Sequence, residues 1–475
     1  MSGSKWQRAG WATSLLACVL AACAQAQGPK TAATVEVLSV SDIHLDPFHD
    51  PAKAERLAAA PITQWRAILD APDSADRATR SAAMLKSCPA RSVDTDEALF
   101  AASLQAMHAQ ARGLRFATVS GDLMAHQFDC RFRQVFPKAT VAEYRSFALK
   151  TMAYELAELR KALPGVPVYA ALGNNDSDCG DYKLDAHGAF LAGAAPFFLA
   201  DLPATERTAA TERFAIDGSY VVPLPGTHAR LVVLDDLFAS RGYTGCAGKP
   251  DPAPAAAQAA WLQAQIDAAR SSGEKLWVMG HIPPGIDPYA TVLKLRNVCG
   301  GEEPVLFLSS AALGEALSAG GDVVTLALFA HTHMDEMHLL EGARGPVALK
   351  MVPSISPING NLPAFTLSTI DAVTASVKDF RVISSADNRG SSWAESYDFA
   401  HAYGAPGFSS ADAATLLRAM AADTVAGSAP VAAYLSHYYG RDLSPALKPF
   451  WPQYACSMSN LTAEAYRSCL CGKRP

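Results

Sequence analysis

The chain has 475 residues, half of them hydrophobic and 18% charged, with a formal net charge of −6. That length allows one large domain with an appendage, and that composition excludes both a disordered chain and one that spans membranes throughout. No basic block offsets the negative charge, which excludes a nucleic-acid duplex as the main partner.

In chain order, the first element is a targeting segment. Lys5 and Arg8 lead into an apolar run from Trp11 to Ala22, too short to span a bilayer as a stable helix. Two processing readings stay open. Leu20-Ala21-Ala22-Cys23 resembles a bacterial lipobox, which would place a lipid on Cys23, whereas Ala24-Gln25-Ala26 offers a small-x-small cleavage site. Residues 1–26 are therefore expected to be leader and linker, and the protein to be exported to a periplasm or outer membrane, or secreted. Membrane attachment through an N-terminal lipid is expected if Cys23 is used. Setting aside Cys18 and Cys23, eight cysteines remain, an even number that favours disulfides in an oxidising compartment. Eight cysteines allow 105 connectivities. Cys456 and Cys469, which flank an expected helix (NLTAEAYRS), are the pair expected first.

Val35–Ser41 reads as a buried first strand that ends at Asp42. From Pro51 to Ala111 the text is Ala-rich and helical, broken near Pro61, Pro72 and Pro89. Arg115–Ser120 is a second strand, Ala142–Lys161 has the apolar spacing of a helix, and Val166–Leu172 is a third strand. Ala229–Asp236, Lys275–Gly280 and Val323–Ala330 are further strands, preceded or separated by helices over Ala256–Ser271 and Leu308–Leu317. This alternation predicts a largely parallel core with helices outside. Beyond Gly342, Val347–Val352, Phe365–Asp371 and Ser376–Ile383 read as antiparallel strands, and from Ser410 the chain turns helical and ends in a Cys cluster.

Five of these apolar runs end on side chains that bind metals. They are Asp42 and His44 (SVSDIH), Asp122 (TVSGD), Asn174 (AALGNND), His281 (WVMGH), then His331 and His333 (LFAHTH). Strands that finish on such residues describe a site along the carboxyl edge of a sheet, where open α/β folds place their ligands. Oxygen and imidazole donors without Cys suit a pair of divalent transition metals rather than a structural zinc knot. Asp42 and His44 lie two apart, so an extended backbone turns both to one side, and His331 and His333 repeat that spacing. Asp122 is suited to bridging two cations, and the neutral carbonyl of Asn174 leaves its metal more Lewis-acidic.

The order DxH, GD, GNxD, GH and HxH resembles the calcineurin-like metallophosphoesterases. GDLMAH (Gly121–His126), HTHMDE (His331–Glu336) and the tail from Tyr434 to Cys471 are similar to the acid sphingomyelinase-like phosphodiesterase branch, and GNND is also like endopolyphosphatases. The resemblance implies a four-layer α/β/β/α sandwich, with residues 34–400 catalytic and 401–475 a small helical, disulfide-bearing subdomain. It also implies one metal on Asp42, His44, Asp122 and His333 and a second on Asp122, Asn174, His281 and His331. Zn is the first expectation, with Mn or Fe also suited.

One position departs from that pattern. Where the family has GNH, with a His that protonates or orients the leaving group, this chain has Asn175, and an amide cannot act as a general acid. His126, four residues after Asp122, is the candidate for that role, with a support of a ligand carboxylate as its alternative. Tyr182 and Asp178 follow GNND directly and are candidate substrate contacts, while His187 and His228 are read as ordinary loop residues. The expected activity is hydrolysis of a phosphodiester or phosphoanhydride through a water activated between two cations. Phosphomonoester or polyphosphate hydrolysis, or a non-catalytic metal-binding lipoprotein, are the alternatives. The expected substrate is a small-molecule or lipid phosphoester, acted on by a monomer. Fewer than twenty residues separate the leader from Asp42, too few for the saposin-type lipid-extracting domain of the lysosomal enzyme, which favours a soluble phosphoester.

Overall fold

The computed structural model describes residues 1–3 and 34–472, so Cys23 and the alternative cleavage site lie outside the described residues. Ala33–Pro475 forms one compact unit. Among the described residues, twelve strands build two six-stranded sheets. The first sheet contains β1 (Thr34–Val40), β2 (Leu114–Ser120), β3 (Val168–Ala171), β10 (Ala364–Asp371), β11 (Val377–Ser385) and β12 (Trp393–Asp398), in the order β12-β11-β10-β1-β2-β3. The second contains β4 (Tyr220–Pro223), β5 (Ala229–Val233), β6 (Lys275–Met279), β7 (Val324–Phe329), β8 (Glu336–Leu340) and β9 (Val347–Met351), in the order β4-β5-β6-β7-β9-β8.

Antiparallel strands close both edges of the second sheet and the β12 edge of the first, whose other edge strand, β3, is parallel to β2. β1, β2 and β3 run parallel, as do β5, β6, β7 and β9. β10 returns antiparallel beside β1 and continues into β11 and β12. The expectation of three late antiparallel strands therefore holds for β10 and β11 but not for Val347–Met351. That strand joins the second sheet, parallel to β7 and antiparallel to β8. It pairs with β8 across a six-residue connection, and its other edge is filled by β7.

Alternation along the strands produces the layers. On β6, Trp277 and Met279 enter the core shared with the first sheet, while Leu276 and Val278 enter a second core under the helices Ala253–Ser272 and Ala312–Ala319. Trp277 meets Phe116 of β2 edge-on, with ring centroids 5.8 Å apart, and its indole N–H donates to the Ala375 carbonyl at 2.7 Å. The outer face of the first sheet is covered by Glu97–Gln110 and Val141–Ala162, the latter opened by a Thr140/Glu143 capping box. The helix expected over Leu308–Leu317 begins four residues later, at Ala312, because Ser309 bonds to the Ala239 carbonyl instead. No helix among the described residues is long and apolar enough to cross a membrane.

The C-terminal residues return to the sheets as short helices, among them Ser410–Ala422, Trp451–Ser457 and Ala463–Gly472. Four disulfides join Cys88–Cys130, Cys179–Cys246, Cys299–Cys471 and Cys456–Cys469.

Candidate active site

Three parallel strands of one sheet and two of the other end at the same rim. Asp42 and His44 follow β1, Asp122 follows β2, Asn174 follows β3, His281 follows β6, and His331 and His333 follow β7. Their donor atoms converge. His44 Nε2 lies 3.4 Å from Asp122 Oδ2 and 3.8 Å from Asp42 Oδ1, and His333 Nε2 lies 3.5 Å from Asp42 Oδ1. On the other side of Asp122, His281 Nε2 lies 3.2 Å from Asp122 Oδ2, 3.0 Å from Asn174 Oδ1 and 3.3 Å from His331 Nδ1. Asp42, His44 and Asp122 form one compact donor group and Asp122, His281 and His331 another, with Asp122 common to both.

The local backbone is unusual. Asp42, His44, Asp122, His331 and His333 all have positive φ, between 46° and 69°. The left-handed region is sparsely used by such residues and costs about 1–3 kcal/mol each. Sequence spacing implies that Asp42 and His44 share a side through extended backbone; instead two left-handed residues curl the strand end inward. Neighbouring loops hold this shape: the Asp42 and His44 amides donate to the Gly121 and Asp122 carbonyls, and the Ser356 amide donates to the Asp42 carbonyl.

Two buried carboxylates stitch the loops together. Asp176, the last residue of GNND, accepts from the amides of Leu123, Met124 and Gly173. Asp236 accepts from the amides of His281 and Ile282. A Cβ at Gly173 would collide with the Asp122 carboxylate, and one at Gly280 with Asp236, so each motif needs its glycine for close approach. Burial, reinforced by Asp122, pushes the Asp176 carboxyl up to about 6, and burial pushes Asp236 up to about 7 against the pull of its amide donors.

The imidazoles are oriented from behind. His44 Nδ1 bonds to the Met124 carbonyl and His281 Nδ1 to the Ser120 carbonyl, each at 2.7 Å, which turns both Nε2 atoms to the centre. Burial would lower both rings, but the surrounding carboxylates, Asp122 foremost, together outweigh it and raise His44 to about 9 and His281 to about 10. Burial and the nearby His281 bring His331 down to about 4, and burial brings His333 down to about 3 despite Asp42. Burial would raise Asp42, but the imidazoles of His333, His44 and His281 hold it at about 2.

Buried Asp42 Oδ1 and His44 Nε2 have no hydrogen-bond partner. Leaving such atoms unpaired costs free energy in a protein-only site, and both face the space between the converging donors. A carboxylate, imidazole and amide oxygen set with unpaired donors aimed inward fits divalent transition ions. Asp178, Cys179 and Cys246 also lie together, but the two cysteines are joined as a disulfide and offer no thiolate.

His126 stacks on His44 with ring centroids 4.1 Å apart, and its Nδ1 bonds to Asp94 Oδ1 at 2.9 Å. Asp94 is buried, takes the His126 amide and Ser356 Oγ as well, and lies beside Arg131. Burial opposes its charge, but His126, His44 and Arg131 hold it at about 2. Asn175 turns towards Asp122, donating to its two oxygens from backbone N–H and side-chain Nδ2 at 2.8 and 2.9 Å. Tyr182 Oη bonds with His331 Nε2 at 3.2 Å, whereas Asp178 turns away to pair with Arg145. A cavity of about 600 Å³ opens above Asp122, Asn174, His126 and Tyr182, walled by Tyr289 and Tyr439 among others. His187 and His228 do not line it. Sequence reasoning missed Asp94, Asp176 and Asp236; the last two carry a signal, as Asp176 closes the GNND motif and Asp236 lies three residues past the end of β5.

No protein-family model matches the chain. It is 27% identical over 338 residues to human "Acid sphingomyelinase-like phosphodiesterase 3b", covering 66% of this chain and 68% of that one. It is 24% identical over 254 residues to Dictyostelium discoideum "Sphingomyelinase phosphodiesterase D", covering 51% of this chain and 54% of that one. Against human "Sphingomyelin phosphodiesterase" it spans only 34% of the relative's length, at 26% identity over 48% of this chain. A solved dimetal phosphatase from Danio rerio overlaps 74% of the chain and 95% of its own, at 11% identity and a TM-score of 0.41. The likeness to acid sphingomyelinase-like phosphodiesterases that the five motifs carry thus extends over most of the described chain, and the relatives bear the names of phosphoester hydrolases.

Proposed function

We propose, from that likeness, that the chain is an exported metal-dependent phosphodiesterase working with two divalent ions, zinc foremost. Asp42, His44, Asp122 and His333 would hold one ion, and Asp122, Asn174, His281 and His331 the other. The observation that carries this reading is the meeting of seven side chains from five strand ends of two sheets, with Asp122 common to both donor groups. When bound, the ions would lower the pKa of a water between them and neutralise the phosphoryl oxygens.

The protein's own groups supply the rest. Asp94 fixes the His126 ring through Nδ1, leaving Nε2 to pass a proton to the departing oxygen. Asn175 has no proton to transfer and acts by holding the Asp122 carboxylate in place. Residues 34–400 would form the catalytic part and 401–475 a helical subdomain. Four disulfides support an oxidising compartment. A monomer and a lipid on Cys23 complete the proposal.

Purified protein should hydrolyse bis(4-nitrophenyl) phosphate, lose that activity to a chelator and regain it with zinc or manganese. Two bound ions per chain and no turnover of diesters, monoesters or polyphosphate would overturn the enzymatic reading.

A further inference from the structure

Beside the mouth of the cavity, one segment presents large apolar side chains to water in a fixed shape. Helix Pro288–Leu293 begins at Pro288 and Tyr289, which line the cavity, and runs out into Leu293-Lys294-Leu295-Arg296. Leu293 is 61% exposed and Leu295 87%, and Tyr289 and nearby Val93 are also exposed. Exposed single leucines are ordinary; two that alternate with cations at the entrance of a site are not. Leu295 moreover holds a left-handed backbone, with φ at 50°, a genuine outlier for a bulky residue.

That shape is fixed from several directions. The amides of Lys294, Leu295 and Arg296 donate to the carbonyls of Ala290, Val292 and Thr291. Asp287 caps the helix through the Ala290 amide, buried Thr291 Oγ1 accepts from Val305, and Cys299 is bonded to Cys471 just beyond. The leucines are therefore displayed with little left to order on docking, which reduces the entropic cost of contact.

The charges interleaved with the leucines, Lys294 and Arg296, are both positive. Neither Lys294 nor Arg296 is in an ion pair among the described residues. Arg91, on the adjoining loop with Val93, sits over the Tyr289 ring at 5.1 Å and lines the same mouth. The acids beside the segment are held in fixed contacts: Asp287 on the Ala290 amide, Glu302 on the Asn297 amide and Glu303 on Arg467. On a chain whose net charge is −6, Lys294 and Arg296 stand out as exposed cations outside any ion pair among the described residues.

Apolar side chains interleaved with cations on a rigid protrusion match the interface of an anionic bilayer, where leucines enter the acyl boundary and Lys and Arg meet phosphate headgroups. We propose that the segment 288–296, with Arg91 and Val93, docks this protein on an anionic lipid surface and turns the cavity mouth to it. This holds whether or not the site hydrolyses phosphodiesters, because docking is read without turnover.

The test is co-sedimentation of the chain carrying Cys23→Ser, so that no lipid is attached, with phosphatidylcholine vesicles, with and without phosphatidylglycerol. The parent should partition onto the anionic vesicles, less in 1 M salt. L293D/L295D should lower the partition about tenfold or more, and K294E/R296E should remove the preference for anionic over neutral vesicles. Both variants should unfold at the parent's temperature, which separates lost docking from lost folding. Equal partition of the parent and both variants would overturn the proposal, as would a parent that binds no vesicle.

Discussion

The seam between the two sheets and the rim where their strands end are built from opposite materials. At the seam, Trp277, Phe116 and their neighbours are apolar and buried, and the indole has its hydrogen-bond partner. At the rim, five residues hold left-handed backbone, and Asp42 Oδ1 and His44 Nε2 are buried without partners. The contrast teaches that this fold concentrates its stability a few residues away from where it holds strain, so each can be altered without the other.

The largest expected effects divide along that line. Asp122→Ala should lower kcat/KM by about 10³-fold or more, since it removes the carboxylate common to both donor groups, with a smaller loss of stability than a seam substitution. Trp277→Ala should do the reverse, costing about 3–5 kcal/mol of stability with turnover per folded molecule retained. An Asp122→Ala protein that fails to fold would erase the distinction.

The rim can be divided further. His126→Ala should slow hydrolysis of poor leaving groups by about 10²–10⁴-fold and spare activated aryl esters, as expected of a positioned acid. Asp94→Asn should cost less, about 10- to 100-fold. Equal loss on both ester types would make His126 a support of His44 instead. Far from the rim, replacing the Cys456–Cys469 pair with serines should cost about 3 kcal/mol in thermal unfolding and leave diester hydrolysis unchanged.

The smallest effect is a pH signature of the chelated protein. His331 and His333, held at about 4 and about 3, sit below the ordinary value of 6.5. Their contribution to stability is present above 6.5 and lost as pH falls through about 4 and then 3. His44 and His281, raised to about 9 and about 10, contribute below 6.5 and lose that contribution as pH rises through those values. Thermal unfolding in chelator should therefore peak near neutrality and fall on both sides. A flat profile would show that the rim does not feel its own charges.

Much of the rim is legible in sequence because each donor follows an apolar run whose strand character is local. β1, β2, β6 and β7 announce themselves that way. What pairs with them does not: β10 lies against β1 across more than three hundred residues, and no local pattern encodes that. The helix Ala204–Asp217 is rich in Thr, Glu and Arg with few apolar positions, too weak a periodicity to stand out. β4 and β8 are short edge strands. Asp94 sits in the run RSVDTDEAL among acids of equal appeal, and only the folded loop shows which of them meets His126.

The rim also has a consequence for the order of assembly. The first sheet supplies Asp42, His44, Asp122 and Asn174, and the second supplies His281, His331 and His333. During synthesis the constellation stays partial until residue 333 has emerged and one layer has closed on the other. Capture of a cation there would act as a rivet through both plates, and its arrival would time the last closure in the birth of the molecule.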